Sequence, residues 1–226
     1  MSDDDGWDLR FRNPCTFILA GASQSGKTTF CLNVLRNIDT LFRNPKCAQN
    51  VLYYYKEWQD AYNNILDENI IKEWIPKLPT IPDIKDRTFL FQETGGSVII
   101  VDDFQNELTN DVTNLFTTYA HHTNSVVIIL IQNLFAKNYR DISLNSTYLV
   151  LFKNVRDKSQ VVNYLKQYQP RKSKWLSEAF QECTKPPYSY MLFDHEQNQK
   201  EFLRVRGDVI PDGKPMTCWM EAACTT

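Results

Sequence analysis

The sequence predicts an α/β protein built on a mostly parallel sheet that carries helices on both faces. Short apolar runs alternate along the chain with segments whose apolar residues recur at the spacing of a helix. The apolar runs are continuous and do not alternate with polar residues, which is typical of strands buried on both faces of a parallel sheet. Strands and helices that alternate in this way indicate an α/β fold.

Apolar and β-branched runs define the predicted strands. They are CTFILA (15–20), VLYYY (51–55), TFLFQ (88–92), SVIIVDDF (97–104), SVVIILIQN (125–133) and STYLVLFKN (146–154). Apolar residues at helical spacing predict helices at residues 27–38, 56–75, 107–122, 158–168 and 173–183. Pro76, Pro79 and Pro82 predict an irregular connection between the second helix and the strand that follows.

The length of 226 residues fits one domain with a small addition. The composition changes after Pro170, where the basic run RKSKW (171–175) begins. We therefore divide the chain into a core at residues 1–168 and a C-terminal extension at residues 169–226 that packs on the core. In this extension YSYMLF (188–193) and EFLRVR (201–206) predict a β-hairpin after a small helix, and the residues after the hairpin give no usable pattern.

Composition and charge exclude several classes of protein. Apolar residues make up 42% of the chain and charged residues 23%, which excludes a disordered chain, a coiled coil and a collagen-like fibre. The 25 basic and 27 acidic residues leave a net charge of −2, so any contact with nucleic acid must come from a local patch or from several subunits together.

Cysteine usage and the chain start indicate where the protein is found. The six cysteines show neither a CxxC pair nor zinc-ligand spacing, which predicts free thiols in a reducing compartment. The start MSDDDGWD is acidic, unlike a signal peptide, and the longest apolar runs are too short to span a membrane. We expect a soluble intracellular protein that is not secreted and does not enter a membrane.

The most specific motif is Gly21-Ala22-Ser23-Gln24-Ser25-Gly26-Lys27-Thr28, which fits the pattern GxxxxGK[ST] of a phosphate-binding loop (P-loop). It follows a predicted strand and opens a predicted helix, which is the context that the motif requires. The two glycines allow successive N–H groups to turn around a phosphate, and the helix N-terminus adds its dipole. Lys27 is predicted to approach the β- and γ-phosphates of a nucleotide, and Thr28 to bind Mg²⁺.

The second motif is VIIVDDF (98–104), four apolar residues followed by two acids. This is the pattern of a Walker B element, which predicts that Asp102 holds Mg²⁺ through water and that Asp103 orients and polarises the attacking water. Most P-loop ATPases that place an acid at the second position use glutamate. The shorter Asp103 must therefore lie closer to the γ-phosphate or act through a second water. The alternative is a buried strand with an ordinary acidic end.

Three further polar residues are candidates for a part in hydrolysis. Gln132 ends the strand that follows the Walker B strand, so we expect it beside that strand, in contact with the γ-phosphate or the attacking water. Its alternative role is a hydrogen-bond partner at a strand end. Arg140 and Arg156 follow predicted strands, and each is a candidate to act on the γ-phosphate of a neighbouring subunit. The alternative for each arginine is a solvated or locally paired side chain.

A basic cluster with interleaved aromatic residues follows the last predicted strand of the core. Cations position phosphates and aromatic rings stack on bases, so the cluster is a candidate contact for nucleic acid. The alternative is the charged end of a helix. The cations are Lys166, Arg171, Lys172 and Lys174, and the aromatic residues are Tyr164, Tyr168 and Trp175.

The P-loop, the second acid and the polar residue at the end of the next strand together resemble the ASCE division of P-loop NTPases, with a RecA-like core. Within this division the chain resembles the FtsK–HerA type genome-packaging ATPases of double-jelly-roll DNA viruses and Polinton/adintovirus-like elements, the A32-like ATPases. The likeness covers most of residues 10–206 and rests on six segments: GASQSGKTTF (21–30), VIIVDDF (98–104), IQNLF (131–135), RDISLNSTYLVLFKNVRDKSQV (140–161), YLKQYQP (164–170) and MLFD…FLRVR (191–206). The first two of these segments are generic motifs, and the last three are specific to the family.

The resemblance implies an ATP-hydrolysing motor that moves viral double-stranded DNA into a preformed capsid. The implied cofactors are ATP and Mg²⁺. The implied partners are further copies of the chain in a ring, expected to be a hexamer, double-stranded DNA and a viral capsid vertex protein, with no membrane. The implied location is the virion or the host-cell interior, either the nucleus or the viral assembly site.

The same resemblance implies a role for each matching residue. It puts nucleotide binding on the P-loop from Gly21 onward, together with the adjoining Thr29. Thr28 and Asp102 would hold Mg²⁺, Asp103 would activate water and Gln132 would act as the sensor. The arginine that acts in trans stays open between Arg140 and Arg156.

Two other functions stay open on the sequence alone. A small-molecule kinase acting on a nucleoside or nucleotide shares the P-loop, but such enzymes carry an arginine-rich lid, and no arginine cluster follows the helical middle region. A nucleotide-binding scaffold without turnover is compatible with the shorter acid at Asp103. A regulatory GTPase fits less well, because no NKxD-type motif follows the strands.

Overall fold

The computed structural model describes residues 8–104, 107, 109–135, 139–155 and 157–221, except for the side chain of Arg140. Within these residues the strands are β1 (Cys15–Ala20), β2 (Val51–Tyr55), β3 (Glu73–Ile75), β4 (Val98–Asp102), β5 (Val126–Ile131), β6 (Tyr148–Phe152), β7 (Tyr190–Asp194), β8 (Val205–Gly207) and β9 (Thr217–Cys218). They form one sheet with the order β3-β2-β4-β5-β1-β6-β7-β8-β9.

The first six strands pair in parallel, and the last three continue the sheet in antiparallel pairs. This confirms the predicted mostly parallel sheet with a C-terminal hairpin. β5 lies between β4 and β1, with Asp102 opposite Leu130 and Ala20 opposite Ile131. The carboxyl ends of these three strands therefore meet at one edge of the sheet, where α/β folds bind their ligands.

Helices cover both faces of the sheet. They are α1 (Lys27–Arg36), α2 (Ile38–Leu41), α3 (Ile81–Thr88), α4 (Asn110–Asn114), α5 (Ala120–His122), α6 (Tyr139–Leu144), α7 (Lys158–Tyr168) and α8 (Ser173–Cys183). A π-helical turn at Leu115–Tyr119 joins α4 to α5. Among the described residues, no helix combines the length and the apolar character needed to cross a lipid bilayer.

The core has one layer on each side of the sheet. All six residues of β1 are buried, with Ile18 in one layer and Phe17 and Leu19 in the other. The helices α1 and α2 pack in the layer that contains Phe17, and α3 to α8 pack in the layer that contains Ile18. This two-sided burial explains why the strands are apolar throughout.

The predicted helix at residues 56–75 is wrong. The segment forms two 3₁₀ turns, Asp60–Asn64 and Leu66–Glu68, and then the strand β3. Tyr62 is buried as the apolar pattern predicts, but its ring packs on Trp74 of β3 with ring centroids 5.0 Å apart. Several Asp and Asn residues in the segment favour local turns over a helix, because their side chains compete for backbone hydrogen bonds.

The predicted strand at residues 88–92 is wrong as well. This segment ends α3 and forms a 3₁₀ turn, Phe89–Phe91, in which Phe89 and Leu90 are exposed. Pro82, predicted to lie in an irregular connection, occupies the first turn of α3, where its missing N–H costs no hydrogen bond. Thr80 caps this helix by accepting a hydrogen bond from the Asp83 N–H.

A buried ion pair fixes the C-terminal hairpin. Arg206 of β8 and Asp194 of β7 are each 1% exposed, and the guanidinium donates to Asp194 Oδ2. Arg206 also donates to the Leu9 carbonyl oxygen at 2.7 Å, which connects the hairpin to the N-terminal part of the described chain. Asp194 accepts a further bond from the Gln199 side-chain amide. Each charge depends on the other because neither is solvated.

Replacing Arg206 by methionine is therefore expected to lower the free energy of unfolding by about 3–5 kcal/mol, since Asp194 stays buried without its cation. Urea unfolding followed by circular dichroism measures this loss. The double variant Arg206→Met with Asp194→Leu should lose less than the sum of the two single losses, because no charge is left unpaired. A single variant as stable as the wild type would show that the pair does not hold the hairpin.

Candidate active site

The P-loop forms the turn between β1 and α1, as the motif predicts. Gly26 has a φ of 103°, in the left-handed region that favours glycine. Gly21 is needed for space instead, because a Cβ at this position would lie 2.7 Å from the Phe152 Cβ and from the Ser25 Oγ. The loop therefore needs its two glycines for different reasons, one conformational and one steric.

Lys27 is held inside the loop. Its Nζ donates to the carbonyl oxygens of Gly21 at 2.7 Å and Ala22 at 2.9 Å, and the residue is only 9% exposed. Burial lowers the pKa of the ammonium group, and the negative charges of Asp102 and Asp103 oppose this shift. A positive charge thus lies at the floor of the site, facing two carboxylates.

Asp102 is the last residue of β4 and is 4% exposed. The hydroxyl groups of Tyr53 and Tyr62 both donate to its Oδ2, each at 2.8 Å. The pKa of this carboxyl is raised, mainly by burial and also by the charge of Asp103, and the two tyrosine hydrogen bonds and the charge of Lys27 offset only part of this shift. The two hydroxyls fix the orientation of the carboxylate and stabilise its charged form.

Asp103 and Gln132 lie together at the ends of adjacent strands, as predicted. The Gln132 Nε2 donates to Asp103 Oδ1 at 3.4 Å. Asp103 has a φ of 65°, a left-handed conformation that is uncommon outside glycine and that aspartate tolerates better than most residues. The backbone turns sharply here, immediately after the buried Asp102, so that two consecutive carboxylates serve the same cleft.

These residues line a cleft of about 930 Å³ at the carboxyl edge of the sheet. Ser23 to Thr29 form its floor, while Gly21 and Ala22 lie behind with their carbonyl oxygens on Lys27. Thr28 lines the cleft too, and its hydroxyl donates to the Gln59 Oε1 at 3.4 Å. The volume is in the range of small-molecule and cofactor sites.

Several cleft residues were missed from the sequence. Glu57, Trp58 and Gln59 follow the end of β2, and their place after the carboxyl end of a predicted parallel strand is a usable signal. The sequence predicts Tyr53 only as part of the strand at 51–55 and Tyr62 only as part of the helix at 56–75, and nothing local indicates that their hydroxyls bind a carboxylate. A further part of the cleft wall comes from the C-terminal part of the chain, where no motif indicates a site: Tyr188, Tyr190, Asp208, Ile210, Asp212 and Lys214.

The described part of the structure includes the side chain of neither candidate arginine. Arg156 lies outside the described residues. Arg140 lies in α6, and its side chain is outside the described part of the structure. Their roles remain predictions.

The aromatic residues of the basic cluster face the protein. Tyr164 is buried, stacks on Tyr168 with ring centroids 5.8 Å apart and shares a hydrogen bond of 2.8 Å with His195 Nε2. Trp175 is partly buried against the same core layer. The cations of the cluster are exposed, so it can contact phosphates, but these rings are not free to stack on bases.

Sheet, P-loop and Walker B strand together define the fold of a P-loop NTPase. Solved structures confirm this fold. The genome packaging NTPase B204 from Sulfolobus turreted icosahedral virus 2, in complex with AMP, matches with a TM-score of 0.57 and 11% identity over 89% of this chain and 98% of that chain. Its complex with ATP-γS matches with a TM-score of 0.52 and 13% identity, over 80% and 92% of the two chains.

B204 from Sulfolobus turreted icosahedral virus, described as a DNA-packaging ATPase, gives a TM-score of 0.50 at 13% identity, over 80% of this chain and 92% of that one. No family model matches the chain, and no curated protein matches it in sequence. At these identities the likeness establishes the fold.

Proposed function

We propose that this chain is an ATPase of the viral genome-packaging kind, which couples ATP hydrolysis to the movement of double-stranded DNA. The observation that carries the proposal is the cleft that brings Lys27, Asp102, Asp103 and Gln132 together. The proteins of similar fold are described as genome-packaging NTPases, which supports this kind of P-loop ATPase. The finer assignment to the A32-like ATPases of Polinton/adintovirus-like elements rests on the sequence resemblance.

Nucleotide binding follows from the chemistry of the loop. In this proposal the residues from Gly21 to Thr29 bind ATP, with backbone N–H groups and the N-terminus of α1 facing the phosphates. The ammonium group of Lys27 exchanges its carbonyl partners for the β- and γ-phosphate oxygens, which carry full negative charge. This exchange is favourable because the buried cation gains an anionic partner.

The residues present also fit a magnesium ion. Mg²⁺ prefers oxygen ligands and needs only one or two protein groups beside the phosphates, and the cleft offers the Thr28 hydroxyl and the Asp102 carboxylate. Thr28 and Asp102 would hold the ion, which would supply positive charge against the negative charge that develops on the phosphates. The hydrogen bonds from Tyr53 and Tyr62 orient Asp102 and favour its charged form, against the burial that raises its pKa.

Hydrolysis then needs a water aligned with the γ-phosphorus. We assign Asp103 to accept a proton from this water. The water oxygen then bonds to the γ-phosphorus while the bond between that phosphorus and the ADP oxygen breaks. Gln132 holds the Asp103 carboxylate through its amide and contacts the γ-phosphate side of the cleft. The strand order makes this pairing possible, because β5 lies between β4 and β1.

Coupling to DNA is proposed at the level of an assembly. A homo-oligomeric ring, a hexamer in our proposal, would surround double-stranded DNA, contact a viral capsid vertex protein and draw on Arg140 or Arg156 in trans. A ring multiplies a modest basic patch by the number of subunits, which suits a chain of net charge −2. Residues 1–168 would carry the catalytic core and residues 169–226 would pack on it.

Adding duplex DNA is expected to raise the rate of phosphate release from ATP, because DNA completes the motor. The measurement is steady-state phosphate release with and without duplex DNA. The protein concentrations are those at which native mass spectrometry shows that the chain assembles. Equal rates with and without DNA would contradict the motor proposal. Transfer of phosphate to an added nucleoside or nucleotide would establish a kinase instead, and tight ATP binding without phosphate release would establish a scaffold.

A further inference from the structure

We propose that the C-terminal part of the chain forms the base-binding wall of the cleft, with Tyr188 stacking on the nucleobase of the bound nucleotide. The proposal rests on the nucleotide-binding part of the proposed function. It assigns a binding partner to the base, which the P-loop residues do not contact. Two features of Tyr188 carry it, its position and its backbone.

Tyr188 lies directly against the P-loop. A Cβ on Gly26 would lie 3.3 Å from the Tyr188 Cβ and 3.5 Å from its carbonyl oxygen. The segment is in contact with the first turn of α1 as well, because Tyr190 packs on Phe30 with ring centroids 4.5 Å apart. Tyr188 and Tyr190 both line the cleft. An aromatic ring therefore borders the phosphate loop at the start of α1.

The backbone of Tyr188 is held in an unfavourable conformation. Its φ is 61°, in the left-handed region, although the side chain is bulky and 71% exposed. An exposed ring recovers little of that cost through burial of its own. Non-glycine residues in this region concentrate at ligand sites, where the surrounding structure holds them.

The surroundings of Tyr188 are built to hold it. It follows Pro186 and Pro187, which restrict the chain, and the Ser189 hydroxyl donates to the Pro186 carbonyl oxygen at 2.6 Å. Ahead of the two prolines, Lys153 Nζ donates to the Lys185 carbonyl oxygen at 3.3 Å. The chain is thus held just before Tyr188 and closed on itself around it, and Tyr188 lines the cleft.

A second segment completes the same wall. The Tyr190 hydroxyl accepts hydrogen bonds from the N–H groups of Val209 at 3.0 Å and Ile210 at 3.3 Å. This anchors the stretch that brings Asp208 and Asp212 to the cleft. Carboxylates beside an aromatic platform are suited to accept hydrogen bonds from sugar hydroxyls or from amino groups of a base.

The direction of the nucleotide favours Tyr188 over the other exposed aromatic residue of the cleft, Trp58. Trp58 packs on Tyr62 with ring centroids 5.3 Å apart, and Tyr62 donates to Asp102. Trp58 is therefore on the side of Asp102 and Asp103, where the γ-phosphate end of the nucleotide is proposed to bind. In this proposal the base lies at the end of the nucleotide away from those acids, on the side of the P-loop where Tyr188 lies against Gly26.

Titration calorimetry with two probes tests the proposal. The probes are ATP and inorganic tripolyphosphate, each with Mg²⁺, against the wild type, Tyr188→Ala and Tyr188→Phe. We expect Tyr188→Ala to weaken ATP binding by about 5- to 100-fold, the loss of one base–aromatic stack. Tyr188→Phe should keep the affinity for ATP, and all three proteins should bind tripolyphosphate equally, because the phosphates do not contact the ring.

Several results would overturn the base-binding wall. ATP affinity unchanged in Tyr188→Ala would do so, and so would an equal loss for ATP and tripolyphosphate, which would mean that the side chain only supports the P-loop. Failure of the proposed hydrolysis gives a different result. If ATP binds with the expected Tyr188 dependence but is never hydrolysed, the base-binding wall stands and the ATPase does not. If the wild type binds neither probe, both proposals fail.

Discussion

Replacing Lys27 by alanine is expected to lower the kcat for ATP hydrolysis by about 10²- to 10³-fold, the cost of removing one preorganised charge from a phosphoryl-transfer site. The effect should be this large because the ammonium group is buried and faces Asp102 and Asp103. Without it, the γ-phosphate would bring its charge to two carboxylates with no cation from the loop. Phosphate release at saturating ATP measures the loss, and ATP binding should weaken as well.

The matched control for this variant is Lys85→Ala, which removes the same charge from an exposed position on α3. It should hydrolyse ATP at the wild-type rate, because an exposed charge outside the cleft is screened by solvent. If Lys27→Ala retained turnover close to that of the control, hydrolysis would have to occur elsewhere in the molecule.

Replacing Asp103 by asparagine is expected to reduce kcat by about 10²- to 10⁴-fold, the usual contribution of a positioned general base. Asparagine keeps the shape and the left-handed backbone, but its amide does not accept a proton. ATP binding should change little, because Lys27 and the loop stay in place. Single-turnover phosphate release combined with a binding measurement separates the two effects.

Glu57→Gln is the comparison that identifies the base. Glu57 lies two residues after the end of β2 and is a third carboxylate residue of the cleft beside Asp102 and Asp103, with a side chain one methylene longer than that of Asp103. We expect Glu57→Gln to keep most of the activity. The reverse result, with a large loss for Glu57→Gln and a small one for Asp103→Asn, would move the role of the base to the end of β2.

The features that the sequence predicted correctly are local. β1, β2, β4, β5 and β6 were predicted because buried parallel strands are apolar throughout and short. The P-loop was predicted because its glycines, lysine and threonine are adjacent in sequence. The meeting of Asp103 with Gln132 followed from one further rule, that the carboxyl ends of parallel strands share an edge.

The features that the sequence did not predict depend on distant contacts. Residues 73–75 of the helix expected at 56–75 instead form β3, which pairs with β2 and packs Trp74 on Tyr53. The hydroxyls on Asp102 depend on β2 being next to β4, which no local pattern indicates. The wall formed by Tyr188 and its neighbours requires knowing that the hairpin joins the sheet beside β6.

The most direct test of the central claim is phosphate release by the wild-type chain on linear duplexes of increasing length. A translocating ATPase hydrolyses more ATP per binding event on longer DNA, so the rate should rise with length to a plateau, and Lys27→Ala should abolish it. A rate that is the same without DNA and on every duplex, at all protein concentrations, would contradict the account.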